Sequence, residues 1–431
     1  MTRKFTTAIS TCQGLTALSP IVVFLAMYLA VSLIIGDFYK MPIVVALLIS
    51  SIWAIAIYGK HTLYERIEVY SKAAGHSNIL YMIWIFVLAG AFAALAKSIG
   101  SVEATVNAVL NIFDAQYIVP GIFVAACLIS MSIGTSVGTV VALTPLAVEL
   151  AHGAESDVAY FVAAVLSGAF FGDNLSFISD TTIAATRSQG CSMRSKFRAN
   201  IFIALPAATI TLAIYIFAAA SLPDVNIQYH SCNLVLVLPY LIIIMLALAG
   251  INVAVVLLCG ILSTLAIGMA YQMPPMDAMA TMGDGIDSMG NLIIITMMAA
   301  GMLGIVKECG GIDYLLQCLT SHVRGTRGAQ ASIAAIVGIV NLCTANNTVA
   351  IITVGNISRE ISQRYGVAPR KSASLLDTGS CIVQCLIPYG AQTLLATALA
   401  GISPASPWPY LYYPWILAAM LTISIIIKNK R

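Results

Sequence analysis

Two acidic residues, Asp173 and Asp180, stand inside a stretch that otherwise reads as a lipid-compatible helix, Gly168-Ala169-Phe170-Phe171-Gly172-Asp173-Asn174-Leu175-Ser176-Phe177-Ile178-Ser179-Asp180-Thr181-Thr182. A charge at the centre of a spanning helix costs roughly 2.5 to 3.5 kcal/mol on the insertion scale, so a bound partner must offset it. A hard monovalent cation suits the local chemistry. It takes carboxylate, hydroxyl and backbone carbonyl oxygens, and an unwound helix supplies the last of these. Asn174, Ser176, Ser179 and Thr181 add further oxygens, and a proton can occupy the same carboxylate when the cation is absent. The two aspartates would sit about 10 Å apart along a continuous helix, and unwinding between them would bring both towards one cavity. The expectation is Na⁺ at Asp173 and Asp180, with Asp180 the direct ligand and Asp173 its proton-sharing partner. The structural alternative is that both merely bond Ser and Thr of neighbouring helices.

A second break is expected at Pro388-Tyr389-Gly390-Ala391-Gln392-Thr393, because Pro and Gly at membrane depth are tolerated where the freed backbone lines a cavity. At an offset of 211 residues Gln384 matches Asp173 and Ala391 matches Asp180, so this break is neutral and contributes Gln392. Asp377, a few residues after Lys371, fits either a ligand or a carboxylate at a helix N-terminus. Two polar tips complete the candidate set: Gly134 to Thr139, with Thr135, Ser136 and Thr139, and Thr344 to Thr348, with Asn346, Asn347 and Thr348. Gly134 and Gly138 also fit plain small-residue helix packing. That reading leaves Asn346-Asn347 unexplained.

The elements that position these residues must be membrane helices. Of 431 residues, 60% are hydrophobic and only 9% are charged, against about 25% charged in a soluble domain. The length accommodates roughly ten to twelve spanning helices and no large soluble domain. The surplus of 21 Lys+Arg over 18 Asp+Glu, +3, is too small for a nucleic-acid partner. A transporter rather than an enzyme is expected, with the lipid bilayer as surroundings. The ten cysteines read as small core residues, and the histidines fall in polar connections. Arg3 and Lys4 precede an apolar run that reads as a retained first helix.

Twelve apolar segments fall into two sets of six with one rhythm, so residues 1–220 and 221–431 are read as two repeats. Gly90 and Gly168 meet Gly301 and Gly379 at an offset of 211, whereas Thr135 and Thr139 meet Thr344 and Thr348 at 209. The connection Gly59 to Ser77 carries Lys60, Arg66 and Lys72; its counterpart Tyr271 to Gly290 carries Asp277, Asp284 and Asp287. Basic connections stay in the cytoplasm, so the halves face opposite ways. In each half the fourth segment has two legs too short to cross a core about 30 Å thick, which predicts a re-entrant hairpin. The fold class expected is an all-α polytopic membrane protein of two inverted repeats, each with five transmembrane helices and one hairpin, with broken helices at the midplane. Both termini then lie in the cytoplasm, and only Lys40 and Lys97 among the basic residues lie outside.

The block from Phe171 to Thr182, with Gly134 to Thr139, Leu376-Asp377-Thr378-Gly379 and Leu386-Ile387-Pro388-Tyr389-Gly390, resembles the signature of the NhaC-type sodium/proton antiporters, although members often have Pro where this chain has Phe177. That family belongs to the ion-transporter superfamily. The resemblance implies inverted repeats, paired hairpins and a scaffold that can form a homodimer, in a bacterial inner membrane. It implies Na⁺ and H⁺ as transported ions, without a cofactor. The alternative is a Na⁺- or H⁺-coupled carrier of a small organic anion or amino acid. The absence of an embedded Arg or Lys to pair with such an anion favours ion exchange.

Overall fold

The computed structural model describes residues 10–35, 43–59, 62–112, 115–176, 179–219, 233–320 and 325–427. Arg3, Lys4, Lys40, Lys60, Phe177, Cys232, the histidines at 61, 230 and 322 and the boundary at 220/221 lie outside these. The first half contains α1 (Thr11–Ile35), α2 (Ile43–Ile57), α3 (Leu63–Ala74), α4 (Ser77–Ser98), α5 (Ser101–Ile112), α6 (Ala115–Ile133), α7 (Ser136–Gly153), α8 (Val158–Leu175), α9 (Asp180–Gln189) and α10 (Met193–Ala219). The second contains α11 (Leu234–Leu248), α12 (Val253–Ala270), α13 (Pro275–Ser288), α14 (Gly290–Glu308), α15 (Gly311–Thr320), α16 (Gly325–Thr344), α17 (Asn347–Tyr365), α18 (Pro369–Leu386), α19 (Ala391–Ala400) and α20 (Tyr412–Ile426). Among the described residues, eight stretches are long and apolar enough to cross a membrane, and the chain is an integral membrane protein.

The helices sort by what they bury. On α2, α11 and α12, residues such as Ile52, Trp53, Leu238 and Leu262 are exposed, as a lipid-facing wall requires. On α8 nearly every residue is buried, and α18 is buried from Ser372 through Ile382. Gly168 and Gly172 let α8 approach α6: a Cβ on the first would overlap Ala126 and the Phe123 carbonyl, and on the second Ser130. These two broken-helix pairs, α8–α9 and α18–α19, form the centre of the molecule.

Two stretches expected as polar connections are helices. Residues 59–77 contain α3, nucleated by a capping box in which Thr62 Oγ1 accepts from Glu65 N while Glu65 Oε2 accepts from Thr62 N. Lys72 pairs with Glu68 one turn earlier at 2.6 Å. Residues 271–290 contain α13, entered through Pro274-Pro275 and carrying all three aspartates. Their charge hid an amphipathic face. Cysteines are less uniformly internal than expected, since Cys12 and Cys318 are exposed.

Helix packing is reciprocal between the halves. α3 packs on α14 as α13 packs on α4; α1 meets α15 as α11 meets α5; α9 lies on α17 as α19 lies on α7. The tips agree in backbone detail. Gly134 and Ala345 both adopt the left-handed region, at φ 74° and 48°. Each is followed by an extended N-cap, Thr135 at φ −149° and Asn346 at φ −148°. The spacing is 211, the same as from α8 to α18, so the expected shift to 209 at the tips is corrected. Matching Thr135 to Thr344 had aligned like residue types. The backbone matches Thr135 to Asn346 and Ser136 to Asn347.

Candidate functional site

Both expected breaks are present. Helix α8 ends where Ser176 N donates to Gly172 O at 2.7 Å, and α9 starts after the N-cap Ser179. The last carbonyls of a helix have no intrahelical donor, and buried ones need another. Asp173 O accepts from Ser179 Oγ at 2.8 Å and Thr181 Oγ1 at 3.3 Å. Asn174 O accepts from Lys196 Nζ at 2.5 Å and Asn200 Nδ2 at 3.0 Å. Ser176 O accepts from Thr182 Oγ1 at 2.9 Å. The hydroxyls of this segment thus hold the break open.

The Asp173 side chain, 5% exposed, gathers donors from two other helices, α7 and α17. Its Oδ2 accepts from Ser136 Oγ at 2.6 Å and from Asn347 Nδ2 at 3.4 Å, and its Oδ1 accepts from Ser136 N at 3.3 Å. Thr135, the N-cap of α7, makes no side-chain capping bond, and the Asp173 carboxylate takes that place. A carboxylate at a helix N-terminus satisfies orphaned N–H groups and meets the positive end of the helix dipole. Ser136 Oγ in turn accepts from Gln392 Nε2 at 3.0 Å. Gln392 Oε1 accepts from Gln384 Nε2 at 2.9 Å, and that amide also donates to Ala345 O. Asp173 and its matched residue Gln384 each contact the tip of their own half.

A buried cation corrects one expectation. No embedded Arg or Lys was expected, yet Lys196 is fully buried on α10, and its Nζ lies 2.5 Å from Asp377 Oδ2, with both side chains at 0% exposure. Thr182 Oγ1 lies 2.7 Å from the same ammonium. Asn200, one turn along α10, donates to Asp377 Oδ2 at 3.1 Å and to Asn174 Oδ1 at 2.9 Å. An embedded Lys is therefore present. Asp377 lies more than two turns into α18 and not in its first turn, which removes the N-terminal dipole reading.

The remaining candidates divide. Asn174 joins the cluster, donating to Thr378 Oγ1 at 3.0 Å, and Ser176 Oγ donates to Met131 O at 3.0 Å, tying the break to α6. Thr139 donates to Thr135 O, and Asn346 caps α17 through Val349 N. Thr348 is half-buried and donates its N–H to Asn347 Oδ1. Asp180 is the first residue of α9, its side chain is exposed, and among the described residues it shares no hydrogen-bond partner with the Asp173 carboxylate. Lys196 and Asn200 were missed. The signal was present, because Lys196, Asn200, Ile203, Ala204 and Ala207 form one buried helical stripe while Arg194 and Arg198 face outward.

The Na⁺/H⁺ antiporter family model matches residues 6–220 and 226–428. The chain is similar to the malate-2H⁺/Na⁺-lactate antiporter of Bacillus subtilis, at 23% identity over 96% of this chain and 94% of that protein. It is also similar to the Na⁺/H⁺ antiporter NhaC of Alkalihalophilus pseudofirmus, at 24% identity over 89% of this chain and 88% of that one. Among solved structures, the YdaH transporter of Alcanivorax borkumensis is 11% identical, with a TM-score of 0.43 over 96% of this chain and 97% of that chain.

Proposed function

The chain belongs to the Na⁺/H⁺ antiporter family, and from that premise we propose that it exchanges Na⁺ for H⁺ by alternating access, with the Asp173 carboxylate as the shared site. The observation that carries the assignment is the setting of that carboxylate. It is buried, and the side chains that touch it, Ser136 and Asn347, are neutral residues at the starts of two helices from opposite halves. A bare carboxylate in such a place is costly, and either a proton or a Na⁺ removes the cost. Only one fits at a time on the same oxygens. Ser136 and Asn347 each carry an oxygen that can turn to a cation, and Thr181, Ser179 and Gln392 support the frame around it. Asp180 is left out of this ligand set because its side chain is exposed.

We further propose the architecture of two inverted repeats, each with five crossings and a re-entrant hairpin, with both termini on the cytoplasmic side of the inner membrane. The reciprocal packing of α3 on α14 and α13 on α4 supports the repeat, and the matched tips at Gly134 and Ala345 support the paired hairpins. A site between two tips from opposite halves is where rocking of one element against another would change the side of access.

The second reading, coupled carriage of an organic anion, is revived by the presence of Lys196. Its ammonium is already bound to Asp377, so it is not free for a substrate carboxylate, and ion exchange remains the better reading. The experiment is a proteoliposome assay in which Na⁺ is added to an imposed pH gradient with no organic solute. Dissipation of the gradient is expected. Strict dependence on an added amino acid or carboxylate would favour the second reading.

A further inference from the structure

The two buried carboxylates at the centre of the molecule are held differently. Asp173 meets only neutral donors. Asp377 meets the Lys196 ammonium. The oxygens around that ammonium have a particular composition: a main-chain carbonyl freed by the break, Asn174 O at 2.5 Å; a hydroxyl, Thr182 Oγ1 at 2.7 Å; and a carboxylate, Asp377 Oδ2 at 2.5 Å. An ammonium has three donors and no acceptor, so these three oxygens use it completely. Carbonyls of an unwound helix with hydroxyl and carboxylate oxygens are also what a transporter presents to a monovalent cation. A further acceptor of the same cluster, Asn200 Oδ1, is buried without a donor among the described residues.

We propose that the Lys196 ammonium is a tethered cation that fills a second monovalent-cation position beside Asp377, so that the chain takes up one Na⁺, at Asp173, and that shortening Lys196 opens this position to a second. This rests on the reading of Asp173 as the Na⁺ site. At the position matching Asp173 the second half carries no charge, because Gln384 stands there and its amide is bound to Gln392 and Ala345. Without the ammonium, Asn174 O, Thr182 Oγ1, both oxygens of Asp377 and Asn200 Oδ1 would remain as an oxygen set with one negative charge and a vacated side-chain volume. A tethered charge also differs from a transported one in never leaving, so its contribution to holding the break is constant through the cycle.

The test counts radiolabelled Na⁺ bound at saturation by purified full-length protein in lipid nanodiscs. Wild type is expected to bind one per chain, Lys196→Ser two, and Lys196→Arg one. Asp377→Asn is expected to stay at one, because Asp377 holds no mobile ion. Two per wild-type chain, one in a folded Lys196→Ser protein, or loss of binding in folded Asp377→Asn would each overturn the proposal, and a wild-type count of two does so without any variant. Asp173→Asn is expected to bind none. Wild type that binds no Na⁺ would remove the Na⁺ reading and this inference together, whereas one in wild type with no gain in Lys196→Ser would remove this inference alone.

Discussion

Ser136 and Asn347 are each the first residue of a helix, occupy matched positions 211 residues apart, and donate to the same atom, Oδ2 of Asp173, at 2.6 Å and 3.4 Å. One carboxylate oxygen therefore reports on the position of both tips at once. A movement of either tip relative to α8 changes the contacts of this oxygen, and on the proposed assignment that couples ion occupancy at Asp173 to the arrangement of the two halves.

This relationship predicts unequal effects of removing the two donors. Ser136→Ala deletes the shorter bond and also leaves Gln392 Nε2 without its acceptor; truncating Asn347 to Ala deletes the longer one. A hydrogen bond to a charged group contributes about 1.5–3 kcal/mol. The half-saturating Na⁺ concentration should rise by roughly tenfold or more in Ser136→Ala and by less in Asn347→Ala, measured as Na⁺-dependent proton flux in proteoliposomes. A larger effect at Asn347 would show that the tip of α17 is the principal contact.

Asp180 gives a contrasting expectation. Exposed in the first turn of α9, it interacts with the helix dipole, a contribution of about 0.3–1 kcal/mol. Asp180→Asn should keep Na⁺/H⁺ exchange within a few-fold of wild type, with a slightly lower thermal midpoint. Complete loss of exchange in a stable Asp180→Asn protein would return this residue to the ion site.

The Lys196–Asp377 pair makes a stability prediction. Removing one partner of a buried pair leaves an uncompensated charge and costs about 3–5 kcal/mol, whereas replacing both with apolar residues is often neutral. Lys196→Met and Asp377→Leu should each lower the thermal midpoint in detergent strongly, and the double variant should recover most of it. A double variant as unstable as the sum of the singles would contradict direct pairing.

The close approach of α8 to α6 is testable at Gly172. A methyl there overlaps Ser130, whose Oγ donates to Ala169 O at 2.6 Å. Gly172→Ala should destabilise by about 1–3 kcal/mol, the usual cost of overpacking, and Ser130→Gly should restore part of it. Measured stability equal to wild type would mean that the helices separate without penalty.

Topology can be read from cysteines placed at exposed positions. Ser192, Gln363 and Asp284 are all exposed. Cysteines at Ser192 and Gln363 should react with an impermeant reagent from one side of the membrane, and a cysteine at Asp284 from the other. Opposite labelling of Ser192 and Gln363 would remove the paired-hairpin arrangement.

Much of this molecule was legible in its sequence because membrane burial makes polar residues conspicuous. Asp173, Ser136, Asn347 and Gln392 stand out in apolar runs, and they converge. Less legible were residues whose neighbours disguised them. Lys196 sits between Arg194 and Arg198, and only the helical period shows that it faces inward while they face out. The helices α3 and α13 were masked by charges on their exposed faces. Asp180 matched Asp173 in type and neighbourhood, but the restart of the helix turned it outward.

The central claim, that Na⁺ and H⁺ contend for one carboxylate, is tested most directly by measuring the half-saturating Na⁺ concentration for proton movement in proteoliposomes across a range of pH. Competition predicts that it rises as pH falls while the maximal rate at saturating Na⁺ is kept, and that Asp173→Asn abolishes the exchange while remaining folded. A half-saturating concentration that does not change with pH, or exchange that survives in Asp173→Asn with the wild-type pH profile, would contradict the account.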